Sequence, residues 1–246
     1  MRWLTAIPVY NEAKSVREVL AEVRRYSPEI LVVNDGSTDG TAGLLDGEPG
    51  LLRIDHPHNR GYGAALMSAF AFALDGGYDV LITMDCDGQH EPARIPVLLE
   101  AIHGADIVSG SRYLRDFRQD TPAPTDRRFI NATVTAEINA RYGLSLSDAF
   151  CGFKAYRRSA LERLRITETG WGMPLQLWVQ AARQGLRVGE IGVPRLYLDP
   201  TRAFGGVMND PEQRLAYYRG VLASAERDVL PGLPSCCSLT ACRELC

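Results

Sequence analysis

Two aspartates stand one residue apart in Met84-Asp85-Cys86-Asp87-Gly88-Gln89-His90. In an extended segment residues i and i+2 point to the same side, so both carboxylates can face one divalent cation and the oxygen atoms it bridges. Hard oxygen ligands with positions left open suit Mg²⁺ or Mn²⁺ holding a diphosphate. Such an ion neutralises charge as a diphosphate departs. Acidic turns are common on protein surfaces, so the pair gains weight from its place. It follows directly on Tyr78-Asp79-Val80-Leu81-Ile82-Thr83, which reads as a buried strand. His90 reads as a surface histidine of the same turn.

Two further polar clusters follow apolar runs. Pro8-Val9-Tyr10-Asn11-Glu12 closes the first, and Asn34-Asp35-Gly36-Ser37-Thr38-Asp39-Gly40 closes the second. A tyrosine can stack on a base, and a carboxylate or amide can accept from base N–H or ribose hydroxyl groups, so together they suit a nucleoside. The second cluster also has the acidic spacing of a calcium loop, but such a loop follows a helix, and Ile30-Leu31-Val32-Val33 is a strand. Asn59-Arg60-Gly61-Tyr62-Gly63 opens a helix with glycine-exposed amides, which favour phosphate. Arg112, in Gly110-Ser111-Arg112-Tyr113, and the pair Arg127-Arg128 supply guanidiniums for the same anion.

These clusters need a scaffold that brings strand ends together. The first half alternates strand and helix: strands near Leu4–Tyr10, Ile30–Val33, Leu51–Ile54 and Tyr78–Met84, helices over Glu12–Arg25, Thr38–Leu45 and Gly61–Leu74. Such β-α-β alternation implies an α/β fold with a mostly parallel sheet, helices on both faces, and ligands beyond the carboxyl ends of the strands. A strand over Asp106–Gly110 and another over Arg187–Val193 continue the pattern. Helices are expected over Arg128–Arg141, Arg158–Leu164, Pro174–Gln184 and Pro211–Ala225.

Composition bounds the rest. The chain has 246 residues, 46% of them hydrophobic, which suits one α/β domain. A formal charge of −3 gives no general attraction to nucleic acid or anionic membrane. The start shows no charged leader before an apolar stretch, and Ala64–Leu74 is far short of the about 20 residues a spanning helix needs, so a cytoplasmic location and no transmembrane segment are expected. Cys236, Cys237, Cys242 and Cys246 cluster after Pro234 without the paired spacing of a zinc site. Residues 229–246 read as a disordered tail behind a catalytic domain over 1–228.

Taken in series, these segments resemble the family 2 glycosyltransferases of the GT-A fold, particularly the branch that transfers mannose or glucose to polyprenol phosphates. The resemblance runs from about Ile7 to Tyr218 and includes Asp148-Ala149-Phe150-Cys151-Gly152-Phe153-Lys154. It implies an inverting transfer of a hexose from a GDP- or UDP-sugar, with a lipid phosphate met at the membrane surface as the acceptor. It assigns metal ligation to Asp85, Asp87 and Gln89. Donor binding falls to Pro8, Tyr10, Asn11, Glu12, Asp35, Gly61, Asp85 and Gln89. The chemistry falls to Asp87, Asp148, Arg112 and Arg128, and Arg202 lies in the segment that resembles a mobile phosphate-binding loop.

The sequence departs from the family at several places. Val207 and Met208 stand where serine and lysine are usual, and Lys154 replaces an arginine and loses its fork. Trp178 stands where many relatives carry a carboxylate that serves as general base for a hydroxyl acceptor; a phosphate acceptor is already ionised and needs none. Two alternatives remain. A haloacid dehalogenase-like phosphatase also opens on Asp-x-Asp-Gly, although it places that motif after the first strand. The other is a binding protein for nucleotide sugars that does no chemistry.

Overall fold

A computed structural model describes residues 1–198 and 204–228. The expectations for Arg202 and for the terminal cysteines fall outside the described residues. Seven strands form one sheet: β1 (Trp3–Val9), β2 (Ile30–Asn34), β3 (Leu52–Asp55), β4 (Val80–Thr83), β5 (Ile107–Ser111), β6 (Lys154–Arg157) and β7 (Val188–Gly192). Their order is β3-β2-β1-β4-β6-β5-β7. All neighbours pair in parallel except β6, which runs antiparallel between β4 and β5.

Alternation along the central strands divides the core in two. Leu4, Ala6, Leu31, Val33 and Leu81 face one layer, built on α3 (Tyr62–Asp75), α5 (Thr125–Tyr142), α7 (Met173–Arg183) and α8 (Pro211–Arg227). Ile7, Val9, Ile30, Val32, Val80 and Ile82 face the other, built on α1 (Val16–Val23) and α4 (Ile95–Ala101). Strands buried on both faces are what produce runs such as Ile-Leu-Val-Val. Two short helices, α2 (Thr41–Asp46) and α6 (Arg158–Leu161), are the other α-helices among the described residues.

Strand β6 is the element the apolar pattern does not announce. Its four residues are Lys, Ala, Tyr and Arg, with the lysine and the tyrosine fully inside. Lys154 Nζ donates to the Cys151 carbonyl and lies over the Trp178 ring at 5.4 Å. Burial lowers its pKa from the ordinary lysine value. Because β6 inserts between β4 and β5, the loop before it, residues 147–153, crosses the carboxyl ends of both.

Candidate active site

The sheet order sets the order of the site. The chain leaves β2, β1, β4 and β5 toward the same rim, and the polar clusters at these four ends line one cavity of about 660 Å³. At about 4.8 Å per strand, β1 and β5 lie about 14 Å apart, with β4 between them. The cavity therefore runs from the β1 and β2 clusters, past Asp85 and Asp87, to Arg112.

At the first end, Pro8, Tyr10, Asn11, Glu12 and Asp35 all line the wall. The β1 and β2 loops are fastened to each other by short polar side chains. Asn11, at a positive φ of 56° that asparagine tolerates, accepts from Thr38 N at 2.8 Å, while Ser37 Oγ accepts from Asn11 N at 3.0 Å. Asp39 accepts from Ala13 N and Thr41 Oγ1 from Glu12 N. Tyr10 remains 45% exposed, free to offer its ring. Asp35 is buried, and it accepts from Gly61 N at 2.8 Å and Arg60 N at 2.9 Å, tying the start of α3 to the end of β2. Gly61, at φ 103°, could not carry a side chain: a Cβ would lie 2.4 Å from the Thr169 carbonyl oxygen.

At the centre, Asp85, Asp87 and Gln89 line the same wall. Asp85 Oδ1 accepts from the Tyr62 hydroxyl at 3.0 Å. Burial and the Asp85 charge both push the Tyr62 phenol upward, so it stays a donor. Asp87 Oδ1 accepts from Gln89 N at 3.0 Å, which folds the turn back on itself. The site fits a divalent ion on its donor set: hard carboxylate and amide oxygens on one cavity wall, with Asp85 about one-third exposed toward it. Among the described residues no group of three or more His, Cys, Asp or Glu side chains is placed to hold a metal ion by itself. An open site of this kind leaves coordination positions for phosphate oxygens and water.

His90 corrects the expectation of a surface histidine. It is buried, its ring stacks on Phe153 at 5.2 Å, and Nδ1 accepts from the Asp85 backbone N–H at 3.1 Å. His90 therefore fixes the backbone of Asp85, with Nε2 3.8 Å from Asp85 Oδ2, and does not line the cavity.

At the far end, Arg112 lines the wall and Asp148 does not. Asp148 is fully buried beneath the arginine and accepts five hydrogen bonds, from Arg112 N, Nε and Nη2, Asn131 Nδ2 and Phe150 N. It positions the guanidinium and touches nothing in the cavity. Glu190 on β7 holds the same loop in turn, accepting from Ser147 N and Oγ, each at 2.8 Å, and from Asp148 N at 3.2 Å. The Arg127-Arg128 pair separates: Arg127 lines the cavity, while Arg128 is exposed and lies over the Tyr113 ring at 5.2 Å. Successive helical residues point about 100° apart, so only one can face inward.

The sequence assigns no role to a second set of lining residues, Tyr62, Trp171, Tyr197, Phe204 and Arg214. Trp171 stacks on Tyr62 at 5.2 Å and meets Phe204 edge-on at 5.6 Å; Arg127 and Arg214 lie over the Phe204 ring at 4.9 and 4.6 Å. The only local signal was Gly170-Trp171-Gly172, an aromatic between glycines. Trp178, read above in place of a carboxylate, is fully buried and donates to the Ala149 carbonyl, so that position faces the core.

A mixed α/β sheet with an Asp-x-Asp turn at the tip of its fourth strand and a cavity across the strand ends is the arrangement of the GT-A fold. Residues 5–165 match the profile of glycosyl transferase family 2, and the chain belongs to that family. It is 34% identical over 221 residues to an undecaprenyl-phosphate mannosyltransferase of Micrococcus luteus, covering 85% of this chain and 90% of that protein. It is also 34% identical over 209 residues to a polyprenol monophosphomannose synthase of Mycolicibacterium smegmatis, covering 78% and 76%. Among solved structures it resembles a glucosyl-3-phosphoglycerate synthase of Mycobacterium tuberculosis in complex with Mn²⁺, UDP and phosphoglyceric acid. That likeness has a TM-score of 0.70 at 19% identity, over 96% of this chain and 80% of that one.

Proposed function

We propose that this enzyme transfers a hexose, mannose first, from a nucleoside diphosphate sugar to a polyprenol phosphate, with inversion at the anomeric carbon. The observation that carries the reading is the polarity of the cavity. Its wall carboxylates, Glu12, Asp35, Asp85 and Asp87, belong to the β1, β2 and β4 ends, whereas its arginines, Arg112, Arg127 and Arg214, belong to the β5 end and helices α5 and α8. No wall carboxylate among the described residues stands at the arginine end. A hydroxyl acceptor needs a base there; an ionised phosphate needs cations instead.

In this scheme Tyr10, Asn11, Glu12 and Asp35 hold the nucleoside, and Asp85, Asp87 and Gln89 hold Mg²⁺ or Mn²⁺ with the diphosphate. The bound ion supplies Lewis-acid stabilisation of the leaving diphosphate. Arg112, locked by Asp148, and Arg127 orient an acceptor phosphate oxygen on the opposite face of the sugar. The C1–O bond to the diphosphate breaks as the C1–O bond to the acceptor forms, and the nucleoside diphosphate leaves with the bonding electrons. Trp171 and Phe204 give the acceptor's first isoprene units an apolar wall. The catalytic unit occupies residues 1–228, in the cytoplasm at a membrane surface; among the described residues no helix is long and apolar enough to cross a bilayer.

The test supplies GDP-mannose, GDP-glucose, UDP-glucose or UDP-mannose with Mn²⁺, and either a short polyprenol phosphate or the matching polyprenol. Product forming only on the phosphate supports the proposal. Transfer to the free alcohol, or none from any donor, overturns it.

A further inference from the structure

We infer that His56 is a positioning residue for recognition of the nucleoside's base, acting through Asp35; this rests on the reading above of Asp35 as a contact to the nucleoside. His56 lies just beyond β3, and its backbone N–H donates to the Asn34 carbonyl at 2.9 Å, which carries the ring under the β2 loop. Nδ1 lies 2.6 Å from Asp35 Oδ1 and Nε2 lies 2.9 Å from Ser68 Oγ on α3. The imidazole and the carboxylate are about 95% buried, so solvent does not compete for either. A carboxylate cannot donate, so Nδ1 carries the proton and points it at Asp35; Ser68 holds the other side of the ring.

The lone-pair arithmetic gives this contact its function. An ionised carboxylate has about four acceptor positions. On Asp35, Oδ1 takes two donors, His56 Nδ1 and Arg60 N, and Oδ2 takes one, Gly61 N. One acceptor position remains, on the oxygen of a residue that lines the cavity. A single ring imino N–H, present on both uracil and guanine, fills it. Arg60 and Gly61 donate from the backbone and cannot be altered by side-chain substitution. His56 is the side chain that fixes the carboxylate's rotation and so aims the remaining lone pair.

His56→Leu removes the donor at similar bulk, and His56→Asn restores an N–H close to the Nδ1 position. Dissociation constants are measured for GDP, UDP and pyrophosphate, each with Mn²⁺, together with donor KM and kcat. His56→Leu is expected to weaken the nucleotide that the wild type binds by about tenfold, the worth of one charge-assisted hydrogen bond, and to raise donor KM in step. Pyrophosphate affinity and kcat should stay within about twofold, and His56→Asn should recover most of the loss. Equal weakening of pyrophosphate, unchanged nucleotide affinity, or no recovery in the asparagine variant overturns the inference. If His56→Leu does not fold, Ser68→Ala takes its place, with a smaller loss expected on the nucleotide alone. Wild-type protein that binds neither GDP nor UDP would sink the functional reading itself, whereas wild-type binding matched by His56→Leu sinks only the role of His56.

Discussion

Arg112 grips Asp148 with both prongs of its guanidinium, Nε to Oδ2 at 2.7 Å and Nη2 to Oδ1 at 2.9 Å, directly behind the wall of the cavity. Burial alone would raise the pKa of Asp148, but the Arg112 charge, with bonds from Arg112, Asn131 and Phe150, outweighs it and holds the carboxyl well below the usual range. A carboxylate depressed in this way adds stability above its unfolded pKa of about 3.9 and loses it as the pH falls toward the folded value.

Asp148→Asn should therefore cost about 3 kcal/mol, the scale of breaking a buried pair. Denaturant unfolding at a series of pH values should show a constant gap from the wild type between about pH 8 and 5, closing only below about pH 4. If Arg112 orients the acceptor as proposed, turnover should fall about a hundredfold, because a guanidinium without its anchor no longer holds one orientation. A gap that closes already between pH 7 and 5 would contradict the assignment.

Gly152 supplies a second constraint, on the proposed metal site at Asp85. A Cβ there would lie 2.5 Å from Asp85 Oδ2 and 2.6 Å from Oδ1, so the glycine backbone forms the floor beneath that carboxylate. Gly152→Ala should push Asp85 out of place, raising the Mn²⁺ concentration for half-maximal activity about tenfold or more, by analogy with the loss of a residue supporting a ligand. Nucleotide affinity measured without metal should not change. If the metal requirement is unaltered, Asp85 is not where the ion is held.

The parts legible in the sequence and the parts hidden from it differ for physical reasons. Ile30-Leu31-Val32-Val33 announces a strand buried on both faces, and the polar residue after it must then lie on the rim. That logic reaches Tyr10, Asp35, Asp85 and Arg112, all of which the structure places on one cavity. It fails at β6, where the buried lysine and tyrosine leave no apolar run to read. It also leaves undecided which of Arg127 and Arg128 faces inward, since charge alone does not set the rotation of α5. His90 misleads because a polar residue in an acidic turn looks exposed, and only the ring of Phe153, 63 residues later, shows that it is covered. Trp171 and Phe204 reach the wall from loops with no periodicity to signal them.

Glu190 is invisible to motif reasoning for a similar reason: it is one carboxylate on a short edge strand. Its three accepted hydrogen bonds hold Ser147 and Asp148, and Asp148 holds Arg112. Glu190→Ala leaves two backbone N–H groups without partners and the Ser147 hydroxyl with Ser111 Oγ alone, a loss of about 2 kcal/mol. We expect kcat to fall several-fold at unchanged donor KM, since the β1 and β2 end of the cavity, the proposed nucleoside site, is untouched. Loss of donor affinity at constant kcat would show that the strand acts elsewhere.

The two arginines at the start of α5 separate what charge can do from what direction requires. Arg127 lines the cavity and lies over Phe204, whereas Arg128 stands exposed over Tyr113. If an acceptor phosphate sits between Arg112 and Arg127, Arg127→Ala should raise the acceptor KM by about tenfold or more, the scale of a charge-assisted contact. Arg127→Lys should recover part of it, because a point charge replaces a fork. Arg128→Ala should change acceptor KM by no more than about twofold at moderate salt, where an exposed charge is screened. Steady-state kinetics on a water-soluble short-chain polyprenol phosphate keep membrane attachment out of the comparison. Were Arg128→Ala the more damaging of the two, the inward face of α5 during turnover would have to differ from the one seen here, and the acceptor would approach from the Tyr113 side.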